Sequence, residues 1–176
     1  EEALRASEER YRAFISQSTE GIWRFELDEP LPPDLPEDEQ IRVAFRHTYL
    51  AECNAAMARQ YGYDRPEEII GRPLGDFLPE HESSTRDYLH RFVRRGYRLE
   101  DAESREVDRH GNVRFFLNNM VGILDERGRL LRVWGTQRDV TERRRVEAAV
   151  REAAERLRAI VDTAADGIVT IDENGT

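Results

Sequence analysis

Residues 109–128 read Arg109-His110-Gly111-Asn112-Val113-Arg114-Phe115-Phe116-Leu117-Asn118-Asn119-Met120-Val121-Gly122-Ile123-Leu124-Asp125-Glu126-Arg127-Gly128. His110-Gly111-Asn112 and Asp125–Gly128 carry the glycine and short polar side chains that tight turns need. The run between them is rich in valine, phenylalanine and leucine, which suit a pleated strand. A second strand runs into the first turn and a third leaves the other toward Asp139, so this stretch predicts a three-stranded antiparallel meander.

Upstream, Gly21-Ile22-Trp23-Arg24-Phe25-Glu26-Leu27 alternates apolar and polar side chains, the period of a half-buried strand. Another short strand is expected around Thr48–Asn54. Between the two, Asp28–Gln40 has prolines at 30, 32, 33 and 36 and six acidic residues, and reads as an acidic, solvated loop unable to continue a ladder or form a helix. Asn54 is placed to cap a helix through Gln60 that ends at Gly62. Asp64–Ile70 gives one or two helical turns stopped at Gly71. Glu82–Arg95, with Tyr88, Leu89, Phe92 and Val93 on one face, gives a longer helix ending at Gly96. Two strands, several short helices and a meander make an α+β domain. Helices cover one face of its antiparallel sheet, and the other meets solvent, a partner or the flanking helices.

The beginning of the chain returns near its end. Shifting Glu1–Leu27 onto Glu147–Glu173 matches Glu1, Ala3, Arg5, Glu9, Arg10, Arg12, Ala13, Gly21 and Ile22 with identical residues and no gap. This is the mark of a duplicated unit of helix followed by strand. The expected organisation is a leading amphipathic helix (1–16), one whole domain (17–142), a linking helix (143–162) and the start of a second domain (163–176), whose first strand begins at Gly167.

At 176 residues the chain has room for one such domain and its helices. No apolar run reaches membrane-spanning length, and the charged start is unlike a signal peptide, so a cytoplasmic place without direct membrane contact is expected. The single cysteine excludes an internal disulfide framework and fits a reducing compartment. A net charge of −9 argues against nucleic acid as a partner. All basic residues but the histidines are arginine; lysine is absent, which removes Schiff-base chemistry and the phosphate-gripping lysine of a P-loop.

The motifs Asn54-Ala55-Ala56-Met57 leading to Tyr61-Gly62-Tyr63, Pro66-Glu67-Glu68-Ile69-Ile70-Gly71-Arg72, Arg109-His110-Gly111 and Gly135-Thr136-Gln137-Arg138-Asp139-Val140-Thr141-Glu142-Arg143 together resemble a PAS domain, the sensory module of bacterial signalling proteins. The resemblance covers about Ser16–Glu142. It implies a PAS fold: a five-stranded antiparallel sheet cradling a pocket against short helices, flanked by N- and C-terminal amphipathic helices. The Asp28–Gln40 segment is longer than the tight turn usual in that family.

Some members of the family hold flavin, haem or a small acid, and some hold nothing. Photo-adduct relatives carry an Asn-Cys pair after the Gly-Arg of the second motif, Gly71-Arg72 here, where this chain has Pro73-Leu74. Their flavin-polar positions correspond to Glu106, Phe116 and Gln137, of which only the glutamine is retained. The haem-ligating histidine of oxygen sensors corresponds to Thr85, while His81 and His90 fall off that position. Covalent flavin photochemistry and haem are therefore disfavoured, and the cofactor is left unknown.

Under period-two alternation Glu106, Asn118 and Gln137 project from three adjacent strands onto one face, with Val133 and Gly135 as floor; Phe116, at a flavin-polar position of the resemblance, is expected among the ligand-binding residues with them. Such a trio binds a small polar ligand, or else Glu106 pairs with an arginine or water and the amides satisfy each other. Trp134 falls on the opposite face, toward flanking helices or a second subunit. No nucleophile, second acid or metal cluster stands beside Glu106, so neither catalysis nor a metal site is expected.

In the linking helix Val146, Val150, Ala153, Leu157 and Ile160 advance by alternating fours and threes, the spacing of a heptad seam. The helix either pairs in a homodimer or packs on its own sheet. Within the resemblance Asp139, Thr141 and Glu142 couple the last strand to this helix, with Thr141 as its cap. The expected function is a non-catalytic signal relay to neighbouring PAS and effector domains, a histidine kinase foremost. The alternative is a ligand-free scaffold in a diguanylate cyclase or phosphodiesterase.

Overall fold

A computed structural model describes Glu2–Asn174, with side-chain surroundings for residues 5–7 and 9–164. Two compact units divide at Val140/Thr141. The first contains α1 (Glu2–Gln17), β1 (Gly21–Leu31), α2 (Glu37–His47), β2 (Thr48–Cys53), α3 (Ala55–Gln60), α4 (Ser83–Arg94), β3 (Arg98–Val107), β4 (Val113–Leu124) and β5 (Leu130–Asp139), with single 3-10 turns at Pro66–Glu68 and Leu74–Asp76. The second is one helix, α5 (Thr141–Asn174).

The five strands form one antiparallel sheet in the order β2-β1-β5-β4-β3. The meander supplies three of them, and β1 joins its free edge. This is the α+β architecture the turn signals predict. Inner-face positions such as Phe25, Leu99, Met120 and Val133 alternate with more exposed ones and meet Met57, Ile69, Phe77, Leu89 and Phe92 from the helical side.

Asn54 ties the layout together. Its side-chain oxygen accepts the N–H groups of Met57, capping α3 at 3.0 Å, and of Ile22 at 3.1 Å. Its amide nitrogen donates to Ile15 at 3.1 Å and Glu20 at 3.0 Å. One side chain thus fixes the end of α1, the start of β1 and the start of α3, satisfying termini that a helix leaves open.

The acidic loop expected over Asp28–Gln40 is a correction. β1 continues to Leu31, and α2 begins at Glu37. Proline is tolerated because β1 leaves regular register between Glu26 and Leu31, where Pro30 lacks no ladder bond, and because Pro36 stands at the helix N-cap. Glu37, Asp38 and Glu39 occupy the positive first turn of α2. The same residues hold α2 to α4: Glu37 and Asp38 flank His90 at 3.1 and 3.2 Å, Glu37 accepts from Arg94 at 2.8 Å, and Asp38 pairs with Arg86 at 3.3 Å.

Buried inside α2, Gln40 donates to the carbonyls of Pro33 at 3.1 Å and Leu35 at 2.8 Å and accepts from the Tyr97 hydroxyl at 2.7 Å. The segment is a folded wall of the domain.

A strand from Gly167 is not what α5 shows, because its backbone stays helical to Asn174. A strand needs a ladder partner, whereas helical bonds close within the segment itself. The side chains of this stretch lie outside the described residues.

Replacing Gln40 by leucine removes three hydrogen bonds and leaves the buried Tyr97 hydroxyl without its acceptor. Gln40→Leu is expected to lower the unfolding free energy by about 2–4 kcal/mol. Urea unfolding with an unchanged slope would register this, and a loss below about 0.5 kcal/mol would contradict the wall assignment.

Candidate functional site

A cavity of about 80 Å³ lies between the inner face of the sheet and the wall made by α2, α4 and the Leu74–Asp76 turn. Its lining is largely aromatic and aliphatic, from Trp23, Phe25, Phe77, Leu89, Phe92 and Met120 among others. Glu106, Asn118 and Gln137 reach it from β3, β4 and β5, with exposures of 5%, 1% and 2%. The register explains the convergence. Asn118 pairs with Gln137 on one side and Ala102 on the other, and Glu106 follows Ala102 and Ser104 along the inner face of β3.

The three are joined by residues that sequence reasoning did not assign to the site. The Asn118 amide donates to Ser104 Oγ at 2.8 Å, and that hydroxyl donates to Glu106 Oε1 at 2.6 Å. The Tyr61 hydroxyl donates to Glu106 Oε2, and the Gln137 amide donates to the Tyr61 oxygen at 3.3 Å and to Gln60 Oε1 at 2.9 Å. Glu106 thus meets the hydroxyls of Ser104 and Tyr61 and, among the described residues, no arginine, and the amides act through those hydroxyls. Ser104 was detectable as the preceding inner-face residue of the same strand. Tyr61 follows α3, and only the tertiary packing of that helix brings it here.

Two expected lining residues are corrected. Phe116 is fully buried, but it packs on the Tyr61 ring at 5.4 Å between centroids, and Tyr61 takes the lining position. Gly135 is covered by the indole of Trp23: a Cβ there would stand 2.3 Å from that ring. The missing side chain lets the indole lie flat on β5. Val133 lines the cavity as expected. The same logic holds at Gly21, where a Cβ would come within 2.6 Å of Gln60 Oε1, so the glycine of the repeated Gly-Ile admits that glutamine beside β1.

Burial pushes the Glu106 carboxyl up to about 7, against the opposing pull of the Ser104 and Tyr61 hydroxyls. Burial, then the neighbouring Glu106, raise Tyr61 well above its ordinary value. The indole N–H of Trp23 is buried without a hydrogen-bond partner.

For the groups that relatives carry, the residues are these. Leu74 stands in the cavity wall where the photo-adduct thiol would be; Cys53 is on β2, its thiol pushed up to about 12 by burial. Thr85 is buried on α4, and His90 is engaged by Glu37 and Asp38. Among the described residues lining the cavity there is no histidine.

Trp134 lies on the opposite face, with the Arg24 guanidinium 5.5 Å from its ring centre. Together with Tyr11, Phe14 and Ile15 of α1 it lines a second groove of about 450 Å³. Asp139 ends β5 and pairs with Arg114 at 3.6 Å. α5 starts at Thr141, so this buried residue lies in its first turn and the cap position falls on Val140. Glu142 sits in the same turn, 3.9 Å from Arg145. Along α5 Val146, Val150, Leu157 and Ile160 are exposed by 54%, 64%, 62% and 60%.

A family profile described as "PAS fold" matches residues 44–145. The chain belongs to the PAS family. Among solved structures, the PAS domain of a Colwellia psychrerythraea protein is 17% identical with a TM-score of 0.55, the match covering 78% of this chain and 98% of that one. A sensory box histidine kinase/response regulator from Burkholderia thailandensis is 20% identical with a TM-score of 0.54, over 85% and 98%. An RNA-binding light-oxygen-voltage receptor is 17% identical with a TM-score of 0.57, over 85% of this chain and 38% of that one. At these identities the likeness is one of fold. A search of curated proteins gave no match.

Because the folded Glu106 keeps a proton that the unfolded chain releases above about 4.5, its neutral form stabilises fully below that pH. That contribution is lost as the pH rises through 7. The unfolding free energy is expected to fall by on the order of 3 kcal/mol from this group between pH 5 and 8, and Glu106→Gln to flatten the dependence. Thermal melts of both proteins across that range decide it; parallel curves would refute the assignment.

Proposed function

We propose that this PAS module is a non-catalytic sensory relay, placed in the cytoplasm, that responds to a small molecule in the cavity and passes the response through β5 into α5. The observation that carries this reading is a shared strand. Gln137, bonded into the cavity network, and Asp139, the last residue of β5, stand on the same face two positions apart, and a single residue, Val140, separates that strand from α5. A shift of Gln137 is transmitted to Asp139 by the backbone between them. Arg114, which pairs with both Asp108 and Asp139, links the same corner to the turn after β3.

The heptad seam of α5 supports pairing of two chains, since four large apolar side chains at seam spacing are exposed. The repeat of Glu1–Leu27 at Glu147–Glu173 supports a second domain of the same kind downstream. A histidine kinase is the effector we favour. The fold is shared with a sensory box histidine kinase/response regulator. The groove between α1 and the outer sheet face favours one other reading, a ligand-free scaffold holding a partner through Tyr11, Phe14 and Trp134.

The leucine at the adduct position speaks against covalent flavin photochemistry, and the engaged His90 against haem. Among the described residues no helix is long and apolar enough to cross a membrane.

Light scattering on the chain and on Leu157→Glu tests the relay's dimer. A dimer that dissociates at least tenfold more readily in the variant is expected, because a charge in a heptad seam is left unpaired. Monomers in both cases would contradict it. Native mass spectrometry of freshly purified protein separates the two readings: a retained small molecule supports the sensor, and an empty cavity the scaffold.

A further inference from the structure

On the reading that the cavity holds a ligand, three features fix the charge of its occupant. The first is the direction of the bonds on Glu106. Ser104 and Tyr61 each receive an amide hydrogen, from Asn118 and Gln137, and so turn their own hydrogens toward the carboxyl group. Both carboxyl oxygens accept, which is the arrangement for an anion.

The second feature is the want of a counter-charge. The chain has 27 arginines, yet among the described residues lining the cavity there is none, nor a histidine. Arg114 is the register partner of Glu106 across β3 and β4, but its guanidinium is held by Asp108 at 3.3 Å and Asp139 at 3.6 Å. The other groups facing Glu106 are Tyr61, beyond α3, and Tyr88 on α4, whose phenol burial keeps protonated. A buried carboxylate without a cation is costly, and a ligand anion beside it more so.

The third feature is the wall, in which Trp23, Phe25, Tyr61, Phe77, Tyr88 and Phe92 offer aromatic rings. Desolvated ring faces attract ammonium groups.

We propose that the cavity takes a small organic ammonium ion, with the Glu106 carboxylate as its counter-charge and the aromatic wall around its alkyl groups. About 80 Å³ is roughly half the engineered cavity known to hold benzene, which limits the occupant to about three or four heavy atoms. The carboxyl group that titrates near 7 makes the binding proton-linked: it strengthens as the pH rises.

The test titrates the protein with isopropylammonium, ethanolammonium, isopropanol and acetate at pH 8 and pH 5.5, following amide shifts of β3, β4 and β5 by NMR. Both ammonium ions are expected to bind at least tenfold tighter than isopropanol at pH 8, with the advantage shrinking at least fivefold at pH 5.5. Glu106→Gln, neutral and of the same shape but with one acceptor oxygen in place of two, should abolish the advantage, and the pH comparison on the unaltered protein stands if that variant does not fold. Isopropanol or acetate binding as well as the amines would overturn the cation assignment and leave the cavity a ligand site. Shifts from none of the four would overturn both.

Discussion

The buried carboxyl group of Glu106 is the constraint around which this domain is organised. A carboxyl group inside an apolar core is tolerated only when its oxygens are matched. Four elements contribute to that matching. β3 brings Ser104, β4 brings Asn118, β5 brings Gln137, and the end of α3 brings Tyr61. None of these residues is placed correctly unless the sheet is in register and α3 is seated on it, so the polar network checks the packing at the scale of single hydrogen bonds.

The seating of α3 depends in turn on Asn54, which joins that helix to the ends of α1 and β1. On the far side of the cavity Gln40 performs a similar service, closing the chain between β1 and α2 against Tyr97. Between these polar clamps the core is held by edge-to-face aromatic contacts, Trp23 with Phe25 at 5.3 Å, Phe25 with Phe77 at 5.6 Å and Phe77 with Tyr61 at 5.0 Å. The apolar core supplies non-directional burial, and the clamps decide which arrangement of it is adopted.

The meander was legible in the sequence because turn residues and period-two patterning act locally, and Asn54 because helix capping does too. Glu106, Asn118 and Gln137 were legible as one face for the same reason. Tyr61 was not, because its contact with Glu106 spans the space between a helix and a distant strand, and no spacing rule reaches that far. α2 was hidden by the prolines that precede it. Pro30 and Pro36 read as breakers, but each falls where the backbone lacks a bond to lose, one at a register break and the other at a helix cap. The indole over Gly135 was invisible for a related reason, since it follows from the pairing of Trp23 with Gly135 across β1 and β5.

β5 is the strand on which these arguments meet. It is central in the sheet, paired with β1 and β4, and therefore cannot move without moving both neighbours. Its inner face holds Val133, the indole-covered Gly135 and Gln137, and its outer face holds Trp134 beneath the groove of α1. A change in the charge at Glu106 alters what Tyr61 donates to, and Tyr61 is the acceptor for Gln137. Under the proposed relay the route is short and bonded, carboxyl to phenol to amide to strand, ending two residues before the corner at Asp139. An apolar contact in place of any of these bonds would fill the same space but carry no orientation. On the proposed function, the polar residues in this core are the part through which its shape would depend on an occupant.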